Sequence, residues 1–155
     1  MPLVLMKGLT ARVFIRKLKG KYMDYEKLLK IATMARENAY APYSKYRVGC
    51  ALLAKSGKVY VGANVENKSF SATCCAERVA LFKAVSEGER EFVMIAIVGG
   101  SDNLDKICSP CGVCRQAFDE FVDGDFKYIL GTLDKYFIYT QNDLLPLSFN
   151  GKVVK

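Results

Sequence analysis

The sequence predicts an α/β fold in which a mixed sheet carries helices on both faces. Three observations lead there. Residues 24–38 repeat their apolar side chains at helical spacing, residues 46–65 alternate around a tight turn, and residues 92–98 form an unbroken apolar run. The order helix, hairpin, helix, strand, helix, strand, strand suggests a mixed sheet with helices on both faces. At 155 residues, the chain has the length of one domain with a sizeable core.

Each element has a local reason. In 24–38, Leu28, Leu29, Ile31, Ala32 and Ala35 make one apolar stripe, and Ala41-Pro42-Tyr43-Ser44 breaks the helix. Tyr46 to Leu53 and Val59 to Val65 read as paired strands joined by Lys55-Ser56-Gly57-Lys58. Glu66 to Thr73 is a polar loop. Cys75 to Ser86 is a helix with Gly88 near its end. Phe92 to Val98 is apolar throughout, as a strand buried on both faces must be. Pro110 opens a helix running to about Val122. Phe126 to Leu130 and Tyr136 to Tyr139 read as strands, and Asp143 to Leu145 as a short helical turn before Pro146.

The formal charge of +7 is unevenly placed. Residues 1–22 hold six basic residues (Lys7, Arg12, Arg16, Lys17, Lys19 and Lys21) and no acidic one, which leaves 17 basic against 16 acidic in the rest. Residues 1–22 therefore read as a basic leader outside the fold, and 23–155 as the single domain. An expression remnant or upstream start is the plainer account of the leader, with Met23 as a natural start; an RNA-, membrane- or organelle-directed arm is the other. The near-neutral domain argues against a nucleic-acid partner. No apolar run approaches the ~20 residues that cross a bilayer. Pro2 to Met6 is also shorter than a signal-peptide core of ~7–15 residues. Six cysteines without a secretory signal point to a reducing, cytoplasmic setting and to metal or redox chemistry rather than disulfides.

The chain has no histidine, so any metal must rely on other ligands. Cys111 and Cys114 are three apart at the start of a predicted helix, where both sulfurs can face one point. The free N–H groups and dipole of the first turn favour thiolates there. Cys75 opens another predicted helix, so two helix N-termini can converge on one ion. Three thiolates suit one zinc per chain with its fourth tetrahedral position open, the mark of a catalytic site. Glu77, two residues past Cys75, is poorly placed as a ligand but well placed to move protons from a water that zinc acidifies to a pKa of ~7. The zinc deaminase signature H-x-E…P-C-x-x-C has a three-cysteine variant, met here as Cys75-Ala76-Glu77…Pro110-Cys111-Gly112-Val113-Cys114. It selects Cys75 over its neighbour Cys74. Three thiolates leave the centre anionic, and Arg78 reads either as a donor to ligand sulfurs or as a surface or subunit ion pair. A closed, structural zinc on Cys75, Cys108, Cys111 and Cys114 is the competing arrangement; Pro110 and the Cys75–Glu77 spacing argue against it. Cys50 reads as a small buried hydrophobe, and Cys74 and Cys108 as free thiols.

From about Tyr25 to Phe149, the chain closely resembles the small homotetrameric cytidine deaminases. The likeness rests on "AYAPYSKYRVG", "GANVEN", "CAERVALFKAVSEGE", "SPCGVCRQ" and "LLPLSF", five segments in the same order. The resemblance implies a three-layer α/β/α fold, with a central mixed sheet of about five strands. It also implies zinc-dependent hydrolytic deamination of cytidine and deoxycytidine, with zinc on Cys75, Cys111 and Cys114 and Glu77 as the proton shuttle. Asn64 and Glu66 then face the ribose hydroxyl, although a capped strand end also accounts for that pair. Tyr46 matches an aromatic position, usually Phe, against the nucleoside, and the Ala76 backbone N–H meets the pyrimidine O2. Phe149 matches an aromatic that reaches a neighbouring chain's site, which implies a homotetramer with shared active sites. Phe70 stands where the family often has Tyr. A deaminase of a related nucleoside such as blasticidin S, or a non-catalytic zinc module, are the alternatives.

Overall fold

The computed structural model describes residues 21–149, with side chains from residue 23, and the backbone of residues 3–6 and 17–18. The side chains of the expected leader lie outside the described residues.

Helix α1 spans Tyr25–Ala35. Asp24 starts it by accepting the Lys27 N–H at 2.7 Å. The last three residues of the expected helix, Arg36–Asn38, tighten into a 3-10 turn. Tyr25, Leu28, Leu29, Ala32 and Ala35 form its buried face. Strands β1 (Arg47–Ala54) and β2 (Val59–Ala63) are the expected hairpin, turning at Gly57 with φ +94°. Helix α2 follows at Ala76–Ser86, β3 at Phe92–Gly100 and α3 at Gly112–Asp119. Strands β4 (Lys127–Gly131) and β5 (Lys135–Thr140) and a short α4 (Gln141–Leu144) complete the order.

The five strands form a mixed sheet in the order β5-β4-β3-β1-β2. The pairs are antiparallel except β3 with β4, which are parallel. That pairing follows from α3, whose length supplies the crossover a parallel connection needs. The backbone of Leu3–Met6 adds a sixth strand, antiparallel to β5 at the outer edge.

Side chains alternate along β1 into two cores. Ala51 and Leu53 join Leu28, Leu29, Ala32, Ala96, Val98 and Ile129 under α1. Cys50, Leu52 and Ala54 join Ala80, Leu81, Ala84, Ile95, Ile97, Phe118 and Tyr128 under α2 and α3. With both faces covered, β3 must be apolar at every position, and the fold has the three layers expected.

Two glycines bring helix backbone directly onto the sheet. A methyl at Gly49 would overlap the backbone of Ala32 and Arg36 at the end of α1. A methyl at Gly62 would overlap the Ala76 carbonyl at the start of α2. Cys50, paired with Gly62 across the hairpin, donates its thiol to that same carbonyl at 3.2 Å. It is thus fully buried, as expected, and also an anchor for α2. Arg36, which sequence alone did not single out, is buried as well. Its Nε donates to the Arg47 carbonyl at 3.0 Å, and its Nη2 to those of Gly100 and Ser101 at 2.8 and 2.7 Å. It thereby ties α1 to the ends of β1 and β3.

Candidate active site and metal centre

β1 runs antiparallel to both β2 and β3, so its first residues meet the last residues of each. Several of the expected site residues gather at this one end of the sheet. Tyr46 precedes β1, Asn64 follows β2, and the loop after β3 leads into Cys111. The segment 64–66 is fastened on both sides. Tyr40 donates to the Asn64 carbonyl at 2.9 Å, and Val65 and Cys74 exchange backbone hydrogen bonds at 3.0 and 2.9 Å. That second ladder sets Cys74 and hence Cys75 beside the strand end.

Cys75 is the N-cap residue of α2 and Cys111 that of α3. The sulfurs of Cys75, Cys111 and Cys114 all lie within 4.8 Å of one another, with Cys75 and Cys111 at 3.7 Å. The Cys111 sulfur accepts the Cys114 N–H at 3.5 Å, which makes it the cap of α3. The helix consequently starts at Gly112, two residues later than Pro110 suggests, and its regular part ends at Asp119. Among the described residues, no fourth side chain joins this group. Cys108 is buried against Gly99, with burial pushing its thiol up to about 12. The four-cysteine arrangement is therefore not what the fold assembles.

The donor set suits zinc. Three soft ligands converge at two positive helix ends, and Cys75 already favours the thiolate. The Cys114 thiol donates to it, Arg78 supports it, and together they outweigh burial to hold Cys75 at about 5. The guanidinium Nη2 of Arg78 is 3.6 Å from the Cys75 sulfur, so Arg78 faces the cluster rather than an acidic surface partner.

Glu77 lies in the first turn of α2 and is only 3% exposed. Burial pushes its carboxyl up to about 7, within the range where a group both takes and gives protons at neutral pH. Ala76, the first residue of the same turn, is fully buried.

The remaining expected residues are placed as follows. Asn64 uses its carboxamide within the protein: Oδ1 accepts the Val48 N–H at 2.8 Å, and Nδ2 donates to the Tyr46 carbonyl at 2.9 Å. Glu66 Oε1 accepts the N–H groups of Tyr43 and Ser44 at 3.0 and 3.1 Å. Hydrogen bonding from Ser44 holds its carboxyl below the usual range. Tyr46 is half-buried, and its hydroxyl donates to Asp105 Oδ2 at 2.6 Å. Phe149 is 80% exposed, and its carbonyl accepts from Gln116 Nε2 on α3 at 3.4 Å.

Sequence reasoning missed Asp105 and Arg115. Arg115 donates to the Pro110 carbonyl, the Ser109 hydroxyl and the Leu144 carbonyl at 2.8, 2.8 and 2.7 Å. It locks the ligand loop to α4. Its place directly after Cys114 was the available signal.

Comparison with known proteins agrees with this geometry. Residues 23–130 match the model of the cytidine and deoxycytidylate deaminase zinc-binding region. The chain is 47% identical to a cytidine deaminase of Halalkalibacterium halodurans over 84% of its own length and 97% of that protein's. It is 50% identical to one from Sporosarcina psychrophila over 72% and 79%. The crystal structure of cytidine deaminase from Burkholderia pseudomallei superposes with a TM-score of 0.74 at 42% identity, covering 82% of this chain and all of that one.

Proposed function

The chain belongs to the cytidine and deoxycytidylate deaminase zinc-binding family, and we propose that it deaminates cytidine and deoxycytidine hydrolytically, giving uridine or deoxyuridine and ammonia. One observation carries this reading: a buried carboxyl, Glu77, lies in the first turn of α2 two residues past Cys75, whose sulfur converges with those of Cys111 and Cys114 on a site that suits a metal with an open position.

Cys75, Cys111 and Cys114 would hold one zinc per chain, which when bound supplies Lewis acidity and brings a water's pKa to ~7. Glu77 takes the proton of the attacking water and delivers it to cytosine N3, which leaves C4 electron-poor. It then takes the proton of the new C4 hydroxyl and gives it to the amine as the C4–N bond breaks. Its raised pKa suits both directions of transfer. The Ala76 N–H, free at the first turn of α2, is read as the donor to the pyrimidine O2. Asn64 and Glu66 are read at the ribose. The carboxamide of Asn64 already braces the 46–48 backbone, so its contribution includes positioning that strand end. Tyr46 is read against the nucleoside.

The same reading makes the protein a homotetramer with shared sites. Support comes from large apolar side chains left exposed near the site: Phe70 at 73%, Val113 at 60% and Phe149 at 80%. A cytoplasmic setting suits six unpaired thiols. No described helix is long and apolar enough to cross a membrane.

The test is the loss of cytidine absorbance on adding purified, zinc-loaded protein, with ammonia assayed in parallel and deoxycytidine, CMP, cytosine and blasticidin S as comparisons. Turnover of cytidine and deoxycytidine with matching ammonia is expected. Bound zinc without turnover of either would make the chain a structural zinc module instead.

A further inference from the structure

We infer that Asp105 is a positioning residue, fixing the Tyr46 ring at the angle at which it meets the nucleoside and so setting substrate affinity without touching substrate. The inference rests on the proposed placing of Tyr46 against the nucleoside.

Tyr46 is held at three points. Its backbone N–H is accepted by the Ser44 hydroxyl at 2.9 Å, its carbonyl accepts from Asn64 at 2.9 Å, and its hydroxyl donates to Asp105 at 2.6 Å. The last is a short bond to a carboxylate, among the stronger kinds of hydrogen bond. The first two fix the backbone but leave the ring free to turn about its side-chain torsions. The third fixes the ring's far end, with the Cys108 thiol beside it as a weaker neighbour.

Asp105 is itself anchored. Its N–H donates to the Gly99 carbonyl at 2.8 Å, which folds the loop back over the end of β3. Gly99 leaves the room this needs, since a methyl there would press on both the Cys108 sulfur and the Tyr46 ring edge at Cε1. The ring therefore lies over Gly99, beside Cys108, with its tip on Asp105. Cys108 belongs to the same loop that ends in Cys111. The Tyr46–Asp105 bond thus joins the strand end read as the substrate side to the loop that delivers the metal ligands. A half-buried ring with a free tip would lose rotamer freedom each time substrate bound. A ring already held loses less, and that difference appears in affinity, not in the chemical step.

The experiment measures KM and kcat for cytidine, zinc content and thermal unfolding in five variants. Asp105→Ala and Tyr46→Phe each break the bond, and each should raise KM roughly three- to tenfold with kcat within about twofold and zinc retained. The double variant should be no worse than Tyr46→Phe alone, because that single already removes the bond to Asp105. Asp105→Asn keeps an acceptor oxygen and should return KM to within about twofold of the parent. An unchanged KM in Asp105→Ala, a loss of kcat as large as the change in KM, or additive singles would each overturn the inference. Tyr46→Ala separates the two levels. If it raises KM while Asp105→Ala does not, only the role of Asp105 fails. If it leaves KM unchanged, Tyr46 does not meet the nucleoside, and both fail.

Discussion

Arg78 points its guanidinium at a sulfur of the three-cysteine cluster: Nη2 lies 3.6 Å from Cys75 Sγ, while Nε is buried with no hydrogen-bond partner among the described residues. A cation drawn in at that cost has an electrostatic reason to be there. Three thiolates on a divalent ion leave an anionic centre and a weakened Lewis acid, and Arg78 offsets part of that charge. Arg78→Gln should lose roughly 10–100-fold in zinc affinity or in kcat. Metal titration and steady-state kinetics on the same preparation check it, and no change in either would reduce Arg78 to a packing contact.

Glu77→Gln keeps the shape and burial of the side chain but removes the proton carrier. Zinc content and the unfolding transition should stay near the parent, while kcat falls at least ~10²–10⁴-fold, the usual worth of general acid–base help. Near-normal turnover would sink the proposed proton route.

The cysteines divide cleanly by position. Cys75→Ser should lose zinc, because its sulfur is one of the three that converge. Cys74→Ser and Cys108→Ser should retain one zinc per chain, as neither sulfur belongs to the group. Elemental analysis of the purified variants decides this, and loss of metal from the Cys108 variant would revive the closed site.

Phe149 is exposed in the single chain, where a large aromatic gains nothing. If it completes a neighbour's pocket, light scattering should give about four times the chain mass, and Phe149→Ala should weaken cytidine binding by ~1–3 kcal/mol with zinc retained. An active monomer at assay concentration would exclude shared sites.

Removing residues 1–22 should leave kcat and KM for cytidine unchanged. None of the proposed site residues lies there, and among the described residues this segment's backbone pairs as the edge strand Leu3–Met6 against β5 and as the short pair Lys17–Leu18 with Lys21–Tyr22. Kinetics of the truncated protein test this, and a large rise in KM would show that the segment reaches the pocket.

The sequence is informative where local chemistry is stringent. The α1 stripe, the Lys-Ser-Gly-Lys turn and the apolar β3 are local patterns, and the helices and strands lie within a few residues of where these put them. The three-cysteine cluster was readable because thiols at helix starts in C-x-E and C-x-x-C spacing have few other uses. Helix α2 shows where such reading stops. Its apolar residues spread around the whole cylinder, so which face meets the sheet depends on Gly62 and Cys50, distant in sequence. Arg36 and Asp105 were illegible for the same reason. A charged residue looks like surface until the carbonyls that accept from Arg36, or the hydroxyl that donates to Asp105, are brought from 11 to 65 residues away.

The seat of α2 on Gly62 has an evolutionary consequence. The helix start that carries Cys75, Ala76 and Glu77 rests on bare main chain, and the Cys50 thiol holds the same carbonyl from the paired strand. Main-chain atoms are common to all residue types, so the height of that helix start above the sheet does not depend on which side chains fill the rest of the core. Neighbouring core positions can exchange volume over many generations while the sulfurs and the carboxylate keep their spacing. The catalytic geometry is thereby insulated from drift in the scaffold, and the burden of invariance falls on a single position that can accept nothing larger than hydrogen.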